Sequence, residues 1–196
     1  MPSPNDWYAG WAKRMGEVQI DAYAKQAGHQ RISIIRPVNI YGQWDNFNLK
    51  TSTLVPSLVR KVEEAEDSIP VWGDGSAQRD IIHAFDVAQA LVLTVQNRIE
   101  EPLNVGNGKG ISIREVIETL VKVSEKDLLI EWDTTKPTGD KLRIADTSRI
   151  QKYGFVPSIS LEDGLKDTYD WYCNNKENAG NRYDPFVEKD HANMWG

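Results

Sequence analysis

Cysteine is nearly missing from this chain. Cys173 stands alone among 196 residues, which excludes an internal disulfide framework and any cysteine-rich zinc module; no metal site is expected. Basic residues are outnumbered, 23 against 29 acidic ones, for a net charge of −6. That balance argues against a surface that coats nucleic acid, so an anionic ligand would need a local basic pocket. No run approaches the roughly 18 apolar residues of a membrane span. The first ten residues lack the charged and apolar regions of a signal peptide. The expectation is a soluble cytoplasmic protein with neither membrane nor nucleic acid as partner. What is present suits a packed core: 40% hydrophobic and 27% charged residues, at a length of one domain or one domain and part of another.

Periodicity lays out the elements. Trp11, Met15, Val18 and Ala22 recur at helical spacing, with Asn5 or Asp6 as N-cap and Gly28 as the stop. Residues 31–36 form an apolar, β-branched run that reads as a buried strand, and residues 39–53 read as a loop. Helices are expected over 54–64, 85–97, 112–123 and 161–174, with a short one at 148–153. Ser112 and Glu115 have the spacing of a capping box, and Asp86 reads as the cap of its helix. Strands are expected at 69–72, 80–83, 103–105 and 128–132, and a polar, loosely ordered tail from Lys176. Helices and short strands alternate, the α/β pattern. An α/β sheet normally has more strands than these, so the chain reads as the second part of something larger.

Gly106, Gly108 and Gly110 follow a strand and precede a helix, as in a dinucleotide-binding fingerprint. Ile111 stands where the third glycine of that fingerprint belongs, so a tight strand-to-helix turn is the preferred reading.

Several collinear segments carry a family resemblance. They are Tyr8 through Lys13, Arg36-Pro37-Val38-Asn39-Ile40-Tyr41-Gly42, Val71 through Asp80, Phe85 through Ala88, Leu103 through Gly106, and Asp146 through Arg149. Over roughly residues 5–175 the chain resembles the extended short-chain dehydrogenase/reductases, the NAD-dependent epimerase/dehydratase family that acts on nucleotide sugars. Asp45-Asn46-Phe47, Val55-Pro56 and Lys136-Pro137-Thr138-Gly139 look most like GDP-L-fucose synthases within it. The resemblance implies an α/β fold, the C-terminal part of a Rossmann-type enzyme with its small substrate-binding domain, the N-terminal dinucleotide-binding half being absent. Residues 1–50 would be a remnant of the Rossmann domain. Residues 51–175 would be mostly substrate-binding domain, with a returning Rossmann helix and strand near 80–106, and 176–196 a tail. It implies NAD or NADP as cofactor, a nucleotide-diphosphate sugar as substrate, and a homodimer through the helix at 6–28.

The family's chemistry rests on a tyrosine and a lysine four residues apart on one helix face, where the ammonium lowers the phenol pKa and holds the nicotinamide ribose. Lys13 matches the lysine, but Ala9 stands four residues before it and Tyr8 five. Five residues are about 140° round an ideal helix. Three explanations stand: a π-bulge that realigns the pair, a Tyr8 that reaches in from an unwound first turn, or a lost phenol and an inactive protein. Thr53 falls where fucose synthases carry an epimerising histidine, and a threonine does not titrate near neutrality. His83 is read as a packing histidine rather than its substitute.

Carried over by the resemblance, the catalytic residues are Tyr8 and Lys13, and the cofactor residues Lys13, Pro37 and Asn39. Substrate residues are Asn39, Arg60, Trp72, Arg79 and Lys141, with Arg143 as an alternative to Lys141. A diphosphate calls for permanently charged, planar guanidinium groups, which singles out Arg79; a surface salt bridge to Asp74 or Asp80 is its plainer reading. Asn39 could reach the ligand or fold its own loop, and Trp72 could pack on the ligand or in the core. The functional expectation is NAD(P)-dependent epimerisation, dehydration or reduction of a nucleotide-diphosphate sugar. The alternative is a non-catalytic nucleotide-sugar-binding or dimerisation module.

Overall fold

The computed structural model describes residues 7–28, 32–136 and 139–179. The order of elements is α1 (Trp7–Ala27), β1 (Ile35–Pro37), β2 (Asn39–Tyr41), α2 (Leu54–Glu64), β3 (Ser68–Trp72), β4 (Gln78–Arg79), β5 (Ile81–His83), α3 (Ala84–Gln96), β6 (Leu103–Val105), β7 (Ile111–Ser112), α4 (Ile113–Ser124), β8 (Leu129–Asp133), β9 (Leu142–Arg143), α5 (Ser148–Lys152) and α6 (Leu161–Ala179). The strands pair as β1–β6, β2–β5 and β3–β8, all parallel, and as a three-stranded β7–β4–β9 sheet. In that sheet β4 runs antiparallel to β7 and parallel to β9. Parallel pairs need crossovers, and the intervening helices supply them.

Among the described residues, two apolar clusters hold these elements. In the larger, α2 presents Val55, Leu58, Val59 and Val62 at helical spacing to Val116, Ile117 and Leu120 of α4 and to Leu165, Tyr169 and Tyr172 of α6. Phe47 stacks on Tyr172 with ring centroids 4.6 Å apart. Each such side chain contributes about 1.5–3 kcal/mol by burial. The smaller cluster joins Ile82, Val87, Ala90, Leu103, Val105, Ile150 and Phe155. By contrast, α1 buries no residue. It is tied to β1 by Glu17, which takes hydrogen bonds from Arg36 at 2.6 and 2.8 Å and from Arg14 at 2.6 Å. Those guanidinium bonds hold the Glu17 carboxyl down at about 2.

Several expectations are corrected. Residues 39–41 are a strand rather than loop, because Asn39 and Tyr41 pair with β5. The two-residue strands β4, β7 and β9 have no period to read in sequence. Asp86 does not cap α3. His83 does, its Nδ1 accepting from Phe85 N at 3.4 Å. Asp86 is instead buried and accepts from Ser158 N, Ser158 Oγ and Ile159 N at 2.8–3.1 Å, pinning the approach to α6. Helix α6 runs on to Ala179, so residues 176–179 are helical and not tail. The caps proposed at Asn5 and Asp6 and the remainder of the tail lie outside the described residues. No helix among the described residues is long and apolar enough to cross a membrane.

Candidate functional site

The glycine-rich turn wraps a carboxylate of its own chain. Asp80 has no exposed surface and accepts from Asn107 N at 2.9 Å, Gly108 N at 3.1 Å and Ala145 N at 3.4 Å. Burial pushes its carboxyl up and those three N–H groups pull it down, leaving it above the usual range. A Cβ at Gly106 would stand 2.7 Å from Asp80 Oδ2. The N–H groups at 107 and 108 that a phosphate would take are therefore engaged, as the tight-turn reading anticipates.

Arg79, the residue before Asp80, closes β4. Its register partner on β9 is Arg143, and partners in adjacent strands share a sheet face. The plainer reading of Arg79 as an ion pair with Asp74 or Asp80 does not hold. Its Nη1 donates to Gln78 O at 2.8 Å and Asp140 O at 2.7 Å, and a Cβ at Gly139 would stand 3.3 Å from its Nη2. Burial and the Arg143 charge lower the Arg79 pKa, against the pull of Asp140. Arg143 Nε meets Asp140 Oδ2 at 2.6 Å. Asp140 thus meets both guanidinium groups, Arg79 through its carbonyl and Arg143 through its carboxylate. Lys141 is exposed, and its carbonyl accepts from Gln78 N.

Trp72 ends β3 and is 60% exposed; it does not pack in the core. Lys136 Nζ lies 5.9 Å from its ring centroid. Lys136 thus stands beside Trp72, while Gly139 and Asp140 stand beside Arg79. Trp72 also lines a cleft of about 260 Å³ with Ser52, Thr53, Ser57 and Lys61. Arg60 faces elsewhere, bonded to Glu64 at 2.7 Å and to Phe47 O at 3.2 Å. The cation in this cleft is Lys61, which sequence reasoning missed. The buried stripe of α2 at 55, 58, 59 and 62 was the available signal, since it sets residue 61 apart from residue 60. Thr53 heads α2 without a capping bond from its side chain.

Asn39 donates to Asp80 O at 2.8 Å, and Pro37 is the last, exposed residue of β1. His83 Nε2 lies 3.2 Å from Asp167 Oδ2, consistent with a satisfied packing histidine. Tyr8 is 89% exposed and Lys13 is exposed. Helix α1 is regular α-helix from Trp7 to Ala27, with neither a π-bulge nor an unwound turn at Tyr8, so the two stand on different flanks.

The profile of the NAD dependent epimerase/dehydratase family matches residues 2–106, more than half of the chain. The chain belongs to that family. It is 38% identical over 176 residues to GDP-L-fucose synthase 1 of Arabidopsis thaliana, covering 87% of this chain and 54% of that protein. A GDP-L-fucose synthetase from Naegleria fowleri bound to NADP superposes with a TM-score of 0.77 at 23% identity, covering 88% of this chain and 54% of that one. A UDP-glucuronic acid 4-epimerase variant from Bacillus cereus, in complex with a UDP-sugar and NAD, gives a TM-score of 0.68 at 27% identity, covering 84% and 52%. The chain spans about half the length of the curated relatives it matches. Relatives in this epimerase/dehydratase family are NAD(P)-dependent nucleotide-sugar enzymes, and the fold is the Rossmann-type α/β fold of the extended short-chain dehydrogenase/reductases.

Proposed function

We propose that this chain forms the nucleotide-sugar side of a cytoplasmic, NAD(P)-dependent enzyme that modifies a nucleotide-diphosphate sugar. The observation that carries the reading is the pair Arg79 and Arg143, register partners on adjacent strands. Two planar cations suit a diphosphate in the way they suit other bidentate oxyanions. Trp72 and Lys61 extend the pocket toward the base or sugar, and in this reading Arg60 and Lys141 drop out of it. Residues 1–50 and the 80–106 return belong to the Rossmann domain, and 51–175 otherwise to the substrate domain. A second copy packs on the exposed apolar residues Trp7, Trp11, Met15 and Val18 of α1.

NAD(P), when bound, supplies the hydride acceptor or donor. The fit of this chain to it is partial. Tyr8 and Lys13 are open to a nicotinamide ribose on the surface of α1, whereas the glycine turn at 106–110 is closed around Asp80. In this chain Lys13 would hold the ribose, and Tyr8 would exchange a proton with the sugar. Among the described residues, the cleft beside Trp72 is lined by neither histidine nor carboxylate.

Calorimetric titration with GDP-mannose, UDP-glucose and dTDP-glucose tests the reading. Saturable binding of one of them, lost in Arg79→Ala, supports it; no binding of any of the three overturns it. The separated flanks of Tyr8 and Lys13 favour a second reading, a binding module without turnover. In a protein carrying both halves, Tyr8→Phe abolishes turnover under the first reading. Under the second there is no turnover to abolish.

A further inference from the structure

Between Trp72 and Arg79 the chain bends at Gly73 and Gly75, making the turn at residues 73–76. The base of that turn is anchored by Gly73 N on Asp133 O and Gln78 N on Lys141 O, each at 2.8 Å. Its tip meets one side chain from the first turn of α4. Arg114 N donates to Gly75 O at 3.0 Å, and Arg114 Nη2 donates to Asp74 O at 2.7 Å. The same guanidinium lies 4.3 Å from the centroid of the Trp132 ring, with Glu118 at 3.8 Å from Nη1. Gly75 has φ +79°, and a Cβ there would come within 2.7 Å of Trp132 Cζ3. Trp132, Arg114 and the turn are therefore packed in contact. Inside the turn, Asp74 Oδ1 accepts from Ser76 N and Ser76 Oγ at 2.9 and 2.6 Å.

We propose that Arg114 is a positioning residue of the nucleotide-sugar site, its clamp on the 73–76 turn fixing the separation of Trp72 from Arg79. This rests on the reading that those two residues contact the ligand. Stacking by its face while donating from its edge is a combination a guanidinium provides and an ammonium does not. The clamp reaches both contact residues through main chain: Trp72 precedes the turn by one residue, and Arg79 follows it by three. Arg114 itself touches no ligand. Holding ligand groups in register is worth large factors in binding and turnover, because small displacements are costly.

The test uses Arg114→Ala and Arg114→Lys beside Arg79→Ala. Two signals are read: the NMR resonance of the Trp72 indole N–H, assigned with Trp72→Phe, and affinity for whichever of GDP-mannose, UDP-glucose or dTDP-glucose the parent chain binds. Expected for Arg114→Ala are a shifted Trp72 resonance, unshifted resonances from the α2–α4–α6 core, and affinity reduced about tenfold or more, the scale on which misplaced contact groups lose function. Arg114→Lys restores neither signal fully. Should Arg114→Ala fail to fold, Arg114→Lys carries the same comparison. An unmoved Trp72 resonance with unchanged affinity, where Arg79→Ala does lose binding, overturns the positioning role. If the parent binds none of the three sugars, the nucleotide-sugar reading fails, and the Trp72 resonance alone then decides whether the clamp exists.

Discussion

Arg79 and Arg143 face each other across two parallel strands, with Asp140 against both. The Arg143 charge disfavours the charged form of Arg79, and a bound anion would relieve that repulsion. Replacing either arginine by alanine is expected to weaken nucleotide-diphosphate-sugar binding by about 1.5–3 kcal/mol. Lys141→Ala is expected to change it by less than about 0.5 kcal/mol, as for an ordinary exposed site. Calorimetry on the three variants checks this. Equal losses from Lys141→Ala and Arg143→Ala would remove the strand pair as the cause.

Lys61 and Arg60 make a second contrast. Adjacent on α2, they diverge by about 100° round the helix, and Lys61 lines the cleft with Trp72 while Arg60 holds Glu64 and Phe47 O. Lys61→Ala is expected to lower ligand affinity about tenfold, consistent with a partly exposed charged contact. Arg60→Ala is expected to leave affinity intact and to cost a little stability through its lost bond to the 47 carbonyl. Binding and thermal melts of the two variants, measured together, separate the roles.

Long, strongly periodic elements were legible in the sequence and short ones were not. The helix over 54–64 agrees with its periodicity to the residue because four apolar side chains face one core. Strands β4, β7 and β9 are two residues each and exist because of pairing partners distant in sequence. The site followed the same division. Arg79 stood out through its motif, but its pairing with Arg143 is a register fact that no local pattern encodes. Asp86 looked like a cap because an acid before an apolar helix usually is one, yet its real partners, Ser158 and Ile159, lie more than seventy residues away.

Acid should loosen the join between α2 and α6. Glu63 accepts from Tyr169 Oη at 2.5 Å and from Cys173 Sγ at 3.4 Å, and also bonds Lys176. Burial alone would raise its carboxyl, but these bonds outweigh burial and bring it from 4.5 to about 2. A carboxyl lowered by folding adds stability that is complete above its unfolded pKa and drains away as pH falls through the folded one. Glu63→Gln is therefore expected to cost about 1–3 kcal/mol near neutrality. The gap to the parent should narrow between pH 4.5 and about 2. Urea unfolding at a series of pH values follows it; a gap independent of pH would show that the charge contributes nothing.

Substitution of Asp80 acts on the fold rather than on ligand affinity directly. Its carboxylate answers three backbone N–H groups from two separate segments, 107–108 and 145. Asp80→Ala strands those donors in a buried site, at about 1–3 kcal/mol for each one left unpaired. Partial relaxation brings the expected total to about 3–5 kcal/mol, or a melting temperature lower by about 10 °C or more for a chain of this size. Gly106→Ala attacks the same contact from the other side, because its Cβ would meet Asp80 Oδ2 at 2.7 Å and Val38 Cγ2 at 3.0 Å. Combined, the two substitutions should cost less than the sum of their separate effects, since each removes the constraint the other violates. A double-mutant cycle by thermal or urea melts reads this out; simple additivity would mean that Asp80 and Gly106 are not the coupled pair their geometry describes.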